Sequence, residues 1–384
     1  MDKVRYFDHA ATTAVKKEVI EEMLPYFNLK YGNPSALYSV GISAKKGLEQ
    51  ARNRVAKVLN AKPEEIYFTS GGSESDNLAI KGVAYANRKK GNHIITTKIE
   101  HPAVINTCKT LQMQGYDITF LNVDSTGMIN LNELKDAITN KTILISIMFA
   151  NNEIGTIEPI EEIGKIAKQN NIYFHTDAVQ AVGNVKIDVN KLGIDLLSMS
   201  AHKFYGPKGI GALYVRNNVE FTKIIDGGHQ ERDKRAGTEN IPAIVGLGKA
   251  IELVYENIDE YNKKLIELRN YCIQQMEKRI PNIKLNGNRT KRLPGNINIL
   301  FQDVDGKKLL EELNEKGICA STGSACSAKS KDASHVLLAI GLKPLCAQSS
   351  LRITLGDDNT KEDIDYLIDN LEKSVQKLRI TKNY

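Results

Sequence analysis

Lys203 stands in Ser200-Ala201-His202-Lys203-Phe204-Tyr205-Gly206-Pro207-Lys208-Gly209, directly after an apolar run. Aromatic and apolar neighbours would strip water from its amine, lower its pKa and favour the neutral form that makes Schiff bases. A surface lysine in a loop would read the same way taken alone, although the Gly-Pro-Lys-Gly that follows suggests a shaped loop. Asp177 closes the run 171–177 and precedes Ala178-Val179-Gln180. A carboxylate there could pair with a protonated pyridine nitrogen and keep the ring an electron sink, or it could cap a helix. His101, in Ile99-Glu100-His101-Pro102, could stack on an aromatic ring, shuttle protons, or be a satisfied loop histidine.

Two further segments carry reactive or ligand-binding types. Phe68-Thr69-Ser70-Gly71-Gly72-Ser73-Glu74 ends an apolar run and opens a helical pattern. Its glycines let the backbone come close to a ligand, Ser73 offers a cap and a hydroxyl, and a helix N-terminus attracts anions. A plain glycine turn with a serine cap is the ordinary alternative. The pattern is neither GxGxxG nor GxxxxGK[ST], which disfavours dinucleotide and Walker-type sites. Ser200 and His202 could add phosphate contacts. Cys326 lies among small residues in Ala320-Ser321-Thr322-Gly323-Ser324-Ala325-Cys326-Ser327-Ala328-Lys329-Ser330, which suits an exposed loop and a thiol free to reach a substrate. An ordinary thiol is only a few per cent ionised at neutral pH, and Lys329 or His101 could raise that fraction. An incidental loop cysteine is the bland alternative.

These residues need elements that bring them together. Short apolar runs at 66–70, 93–97, 117–122, 142–149, 171–177, 195–200 and 211–216 read as strands covered on both faces. Helical patterns such as 74–90 and 160–170 lie between them. The alternation predicts an α/β fold with a mostly parallel sheet and helices on both faces. Phosphate, amine, acid and histidine candidates would then share the carboxyl edge of one sheet, where ligands bind. After residue 240 the rhythm changes to one long helix over 241–276, short strands at 296–301 and 351–356, and helices over 306–316 and 360–378. This predicts a smaller α+β domain at 246–384 carrying the cysteine loop, a large domain at 21–245, and an N-terminal segment 1–20 packed on the smaller one.

Bulk composition bounds the alternatives. The 384 residues are 41% hydrophobic and 26% charged, with net charge +6. The basic residues are dispersed and no aromatic-interleaved basic block occurs, so nucleic-acid binding is disfavoured. No run reaches the roughly 20 apolar residues of a membrane helix, and the N-terminus lacks a signal-type apolar core. Five cysteines without a CxxC pair build neither a disulfide framework nor a zinc site. A cytoplasmic enzyme with free thiols is the expectation.

The sequence resembles the cysteine desulfurases, in the class V branch of the fold-type I pyridoxal-phosphate (PLP) enzymes. The resemblance rests on DHAATT (8–13), YGNPS (31–35), FTSGGSESDNLAIKG (68–82), EHPAV (100–104), NNEIG (151–155), HTDAVQAVG (175–183), SAHKFYGPKGIGALYV (200–215), RAGTEN (235–240), STGSAC (321–326) and SLRITLG (350–356). It spans nearly the whole chain in the family's order. It implies that Lys203 holds PLP, that Gly72, Ser73, Ser200 and His202 hold the phosphate, and that Thr238 reaches the phosphate of a neighbouring subunit in a homodimer. Asp177 would pair with the ring nitrogen, His101 would stack on the ring, and Gln180 and Asn152 would lie near the ring hydroxyl and substrate. Arg352, with Asn33 nearby, would bind the carboxylate of L-cysteine, and Cys326 would accept the sulfur. The interval from Cys326 to His335 matches the longer cysteine loop of the iron–sulfur-assembly subgroup, which implies direct transfer to a scaffold protein. No resident metal is implied; Cys326 would be at most a transient iron–sulfur contact within a scaffold complex. A selenocysteine lyase or a class V aminotransferase shares the fold, and a catalytically silent sulfur-carrier platform is the alternative from another class.

Overall fold

The computed structural model describes residues 4–323 and 333–382. The strands among them are β1 (Arg5–Tyr6), β2 (Ile66–Thr69), β3 (His93–Thr97), β4 (Asp117–Leu121), β5 (Thr142–Ser146), β6 (Tyr173–Asp177), β7 (Leu196–Ser200), β8 (Gly211–Val215), β9 (Ile283–Leu285), β10 (Asn296–Phe301), β11 (Ile318–Cys319) and β12 (Ser350–Thr354). Seven form one sheet in the order β2-β8-β7-β6-β5-β3-β4. The β3–β4, β3–β5, β5–β6 and β6–β7 pairs are parallel, and β8 runs against both its neighbours. Strands β3, β5, β7 and β8 are buried at every position, because helices cover both faces. The edge strand β4 begins on an exposed Asp117.

The helices obey the same pattern. In Ile160–Gln169 the buried residues are Ile160, Ile163, Gly164, Ile166 and Ala167, one face at helical spacing. Gly164 allows close approach: a Cβ there would lie 2.1 Å from the Leu192 carbonyl oxygen. A second core gathers Phe7, Leu265, Met276, Ile297, Leu309, Ile353 and Leu367 around the antiparallel sheet β12-β10-β9. This is the α/β architecture with a smaller α+β portion that the element pattern implied.

The long helix expected over 241–276 is two helices, Ile241–Glu256 and Ile258–Arg279, broken at Asn257 (φ −127°, ψ 24°). The first packs its apolar face on the large sheet's core, and the second turns Leu265, Cys272 and Met276 to the smaller core. One straight helix could not serve both. The boundary expected between residues 245 and 246 therefore falls inside a helix. The N-terminal segment also divides. β1 pairs with β11 and Phe7 enters the smaller core, whereas Val19, on the helix Lys17–Met23, enters the large one. Between them, residues 8–13 cross the carboxyl edge of the seven-stranded sheet. No helix among the described residues is long and apolar enough to cross a membrane.

Candidate active site

The phosphate cup follows β2. Gly71 takes φ 154°, which favours glycine, and the helix Gly72–Ala86 begins directly after it. Gly72 has no room for a side chain, since a Cβ would lie 2.6 Å from Val179 Cγ2 in the turn after β6. Ser75 donates to the Gly71 carbonyl (3.2 Å) and lies 2.8 Å from Thr69 Oγ1, which pins the turn. Glu74 accepts from Ser70 N–H (2.9 Å) and from Arg235 Nε (2.8 Å), so it ties the helix start to the 235–240 segment. A cavity of about 470 Å³ opens over the helix N-terminus, lined by Ala11, Thr12, Gly71, Gly72, Ser73, Ser200, His202 and Lys208. Burial, with Lys203 and Lys208 nearby, lowers His202 to about 4, so its ring is neutral at physiological pH. Thr238 does not line this cup. It lines an adjoining cavity of about 240 Å³ that shares Ser70 and Gly209 with it.

Lys203 ends a short turn after β7, and its Nζ donates to the carbonyls of Ala10 (2.5 Å) and Ala11 (2.8 Å). Gln180 Nε2 donates to the same Ala10 carbonyl (3.0 Å). Asp177 is buried at the end of β6, its Oδ1 accepting from Val179 N–H (2.9 Å). Burial raises its pKa; the positive potential of His101 and Lys203 and the Val179 hydrogen bond oppose that rise. His101 caps the helix Pro102–Met113, its Nδ1 accepting from Ala103 N–H (3.2 Å), which leaves the proton of the neutral ring on Nε2. Burial lowers the His101 pKa, Lys203 and His335 lower it further, and Asp177 opposes them. Asp76, from the phosphate helix, completes a cluster in which one atom each of Asp76, His101 and Asp177 lie within 4.8 Å of one another. Burial first, and Asp177 second, hold the Asp76 carboxyl well above the usual range.

Arg352 reaches the site from β12. Its Nη2 donates to Asp8 Oδ1 (2.7 Å) and its Nη1 to the Asn152 carbonyl (3.1 Å). The neighbouring Asn151 side chain accepts from Glu153 and Ile154 N–H and donates to the Ile99 carbonyl, fixing that turn against the one before His101. Asn33 does not join Arg352. It is exposed in a surface loop, its side chain accepting from Ser35 N–H (2.9 Å). Cys326 lies outside the described residues. The residues flanking that stretch are anchored near the site: Ser321 exchanges backbone hydrogen bonds with Arg352, Ser334 donates to Glu153 (2.5 Å), and His335 Nε2 donates to the Glu100 carbonyl (2.9 Å). Burial pushes the Cys108 and Cys272 thiols up to about 12 and also raises Cys319, so none of these three is primed as a nucleophile.

Gly72, Ser73, Ser200 and His202 line one cup; Lys203 and Gln180 meet at the Ala10 carbonyl, His101 and Asp177 meet in the Asp76 cluster, and Arg352 holds the Asn152 carbonyl. Sequence reasoning named DHAATT as a motif without giving its residues work, and it passed over Asp76, Glu100 and Lys208. A charged residue inside an otherwise apolar helix face, as in Asp76-Asn77-Leu78-Ala79-Ile80, was the available signal for Asp76.

A phosphate cup on a helix N-terminus, an amine beside it and a buried carboxyl that lacks a full cation partner fit PLP, whose phosphate, aldehyde and ring nitrogen match these groups in turn. Fold and site together define a fold-type I PLP enzyme. The aminotransferase class-V family model matches residues 5–367. A cysteine desulfurase IscS of Clostridium botulinum strain Hall is 58% identical over 381 residues, covering 99% of this chain and 96% of that protein. A cysteine desulfurase IscS of Methanosarcina thermophila is 56% identical, over 98% of this chain and 93% of that one. A solved NifS-like protein superposes with TM-score 0.92 at 39% identity, covering 98% of this chain and all of its own. The chain belongs to the class V aminotransferase family and, within it, to the cysteine desulfurases.

Proposed function

We propose that the protein takes sulfur from L-cysteine, leaving L-alanine and a persulfide on Cys326, and passes that sulfur to an iron–sulfur scaffold or another acceptor. The observation that carries this is the Lys203 amine held on the carbonyl of Ala11, a residue that lines the cup over the helix N-terminus, with Asp177 buried at the end of the adjoining strand. PLP, when bound, supplies an electron sink that acidifies the α-carbon of an amino acid. The chain's own residues do the rest. The cup holds the phosphate through helix N–H groups, Ser73, Ser200 and His202. Asp177, whose pKa burial raises, would ionise against a protonated ring nitrogen and keep the proton there. Arg352 orients the substrate through its carboxylate. Lys203, released from its two carbonyl contacts, moves the α-proton. His101 presents its Nε2 proton toward the departing group. The Cys326 thiolate forms a sulfur–sulfur bond as the substrate carbon–sulfur bond breaks, and the electron pair left on carbon is protonated to give alanine.

The functional unit is a homodimer in this reading. Leu24, Phe27, Leu29, Tyr31, Leu37 and Tyr38 are all exposed in one stretch of the chain, an apolar patch of the kind that subunit contacts cover. Asn33 lies within that stretch and Thr238 lines a cavity adjoining its own cup, positions that support a reading in which both serve a neighbouring subunit's site. The reducing cytoplasm is the setting for a reaction that runs through a free thiol.

The test is to supply L-cysteine and a reductant to the PLP-loaded protein and measure sulfide and alanine. Equal amounts of the two are expected. Cys326→Ala should keep the visible cofactor band and lose sulfide formation; normal turnover in that variant would remove Cys326 from its role. Production of a keto acid instead of alanine would make the protein an aminotransferase.

A further inference from the structure

Arg352 is the anchor assigned to the substrate carboxylate, yet it already holds one. Its side chain is 1% exposed, and Nη2 donates to Asp8 Oδ1 at 2.7 Å. Nη1 is taken by the Asn152 carbonyl, and Nε is buried without a hydrogen-bond partner among the described residues. Asp8 belongs to the strap 8–13, whose Ala10 and Ala11 carbonyls hold the Lys203 amine. One short strap therefore presents a carboxylate to Arg352 and contacts the amine of Lys203, the two places that the carboxylate and amino group of an amino acid must reach.

We propose that Asp8 is a specificity-determining residue: its carboxylate stands in for that of the substrate on Arg352 and is displaced by it. This rests on the reading of Arg352 as the carboxylate anchor. Two carboxylates crowded on one buried guanidinium repel each other in a medium of low polarity. An Arg352 holding neither would be a buried charge without a partner, which its desolvation strongly disfavours. One-for-one exchange avoids both. The Asp8 side chain is 16% exposed, so it has solvent to turn into. Its backbone need not move, since the Asp8 carbonyl stays fixed by Ala11 N–H (2.9 Å) and the Tyr6 hydroxyl (3.0 Å). A simple carboxylic acid must displace a tethered rival whose effective concentration is of millimolar order. An amino acid, held by its amine as well, competes as a tethered group itself. Asp8 thereby excludes free carboxylates and admits amino acids.

The experiment compares the PLP-loaded wild type with Asp8→Asn, which keeps shape and an acceptor for Arg352 but removes the charge. The KM for L-cysteine should fall about tenfold, with the change larger in KM than in kcat, because the competent state no longer has to be won from Asp8. Propionate should become a competitive inhibitor with a Ki about tenfold lower than in the wild type. Asp8→Glu, which restores a carboxylate, should restore resistance to propionate. KM and Ki do not depend on how much enzyme is folded, so partial instability of a variant leaves the test intact. A raised KM with no gain in propionate binding would show that Asp8 merely props Arg352 and would overturn the proposal, as would no change in either constant. Arg352→Lys separates the two levels: an unchanged KM for L-cysteine there would sink the anchor reading itself.

Discussion

The two ends of the candidate site handle buried charge in opposite ways. At the edge of the seven-stranded sheet, Asp76, Glu100 and Asp177 crowd together around histidines that burial keeps neutral. One oxygen each of Asp76 and Glu100 has no hydrogen-bond partner among the described residues, and burial raises Glu100 to about 8. At β12, by contrast, Arg352 is matched by Asp8. The difference follows from what each end must receive. A protonated ring nitrogen brings a cation, so the sheet edge keeps carboxyl character in reserve at a cost in desolvation. In the proposed reading a substrate carboxylate brings an anion, and β12 offers a cation whose counter-charge it would replace. An unmatched charge marks where the ligand supplies the missing sign, and a matched one marks where the ligand must exchange.

The contrast is most exposed to failure at Asp177. Asp177→Asn should leave the cup able to bind PLP, because the phosphate contacts are elsewhere, yet lower turnover by at least about 100-fold. Cofactor content and alanine production measured on the same sample check this, and turnover within a few-fold of the wild type would break the comparison. A second test uses a matched pair with no ligand to exchange. Arg52 donates twice to Glu231 (2.9 and 2.8 Å), and Glu231 also accepts from Phe68 N–H (2.9 Å). The pair pins a turn in which Glu231, Arg232 and Asp233 all have positive φ, ahead of the Thr238 segment. Arg52→Ala should destabilise the protein by about 3–5 kcal/mol in denaturant unfolding, because it strands a buried carboxylate.

The smallest effect sharpens the unmatched side. Burial raises Glu158 to about 8, and its Oε1 has no partner. The folded chain then keeps a proton that the unfolded chain releases at lower pH, so this group's contribution to stability is present in acid and is lost as pH rises toward 8. Glu158→Gln does not titrate. Its stability relative to the wild type should therefore grow between about pH 5 and pH 8, by no more than roughly 1.4 kcal/mol per pH unit. Urea midpoints at several pH values measure it, and an advantage that shrinks with pH would reverse the sign argued here. Glu100 titrates in the same direction in both proteins and cancels except for the small part of its rise that Glu158 imposes.

Much of this was legible in the chain. Strand runs with continuous burial gave the parallel sheet, and strand-end placement gave the shared edge for Lys203, Asp177 and His101, because side-chain period and turn position are local properties. The break at Asn257 was not legible. Apolar residues recur at helical spacing through 241–276, and only the presence of two cores turns the second half away. Asn33 is a related case: sequence order does not reveal that it sits exposed on a surface loop whose contact is with Ser35.

By itself the sequence determined the fold class, the glycine turn at Gly71 and Gly72 and the strand-end positions of Lys203 and Asp177, since each depends on neighbours a few residues apart. Only the tertiary structure decided the charge states and partnerships: that Asp8 crosses 344 positions to meet Arg352, and that Asp76 faces Asp177 from another element. Those depend on which charges share a dry space, and desolvation is set by everything packed around a group, not by the residues beside it in the chain.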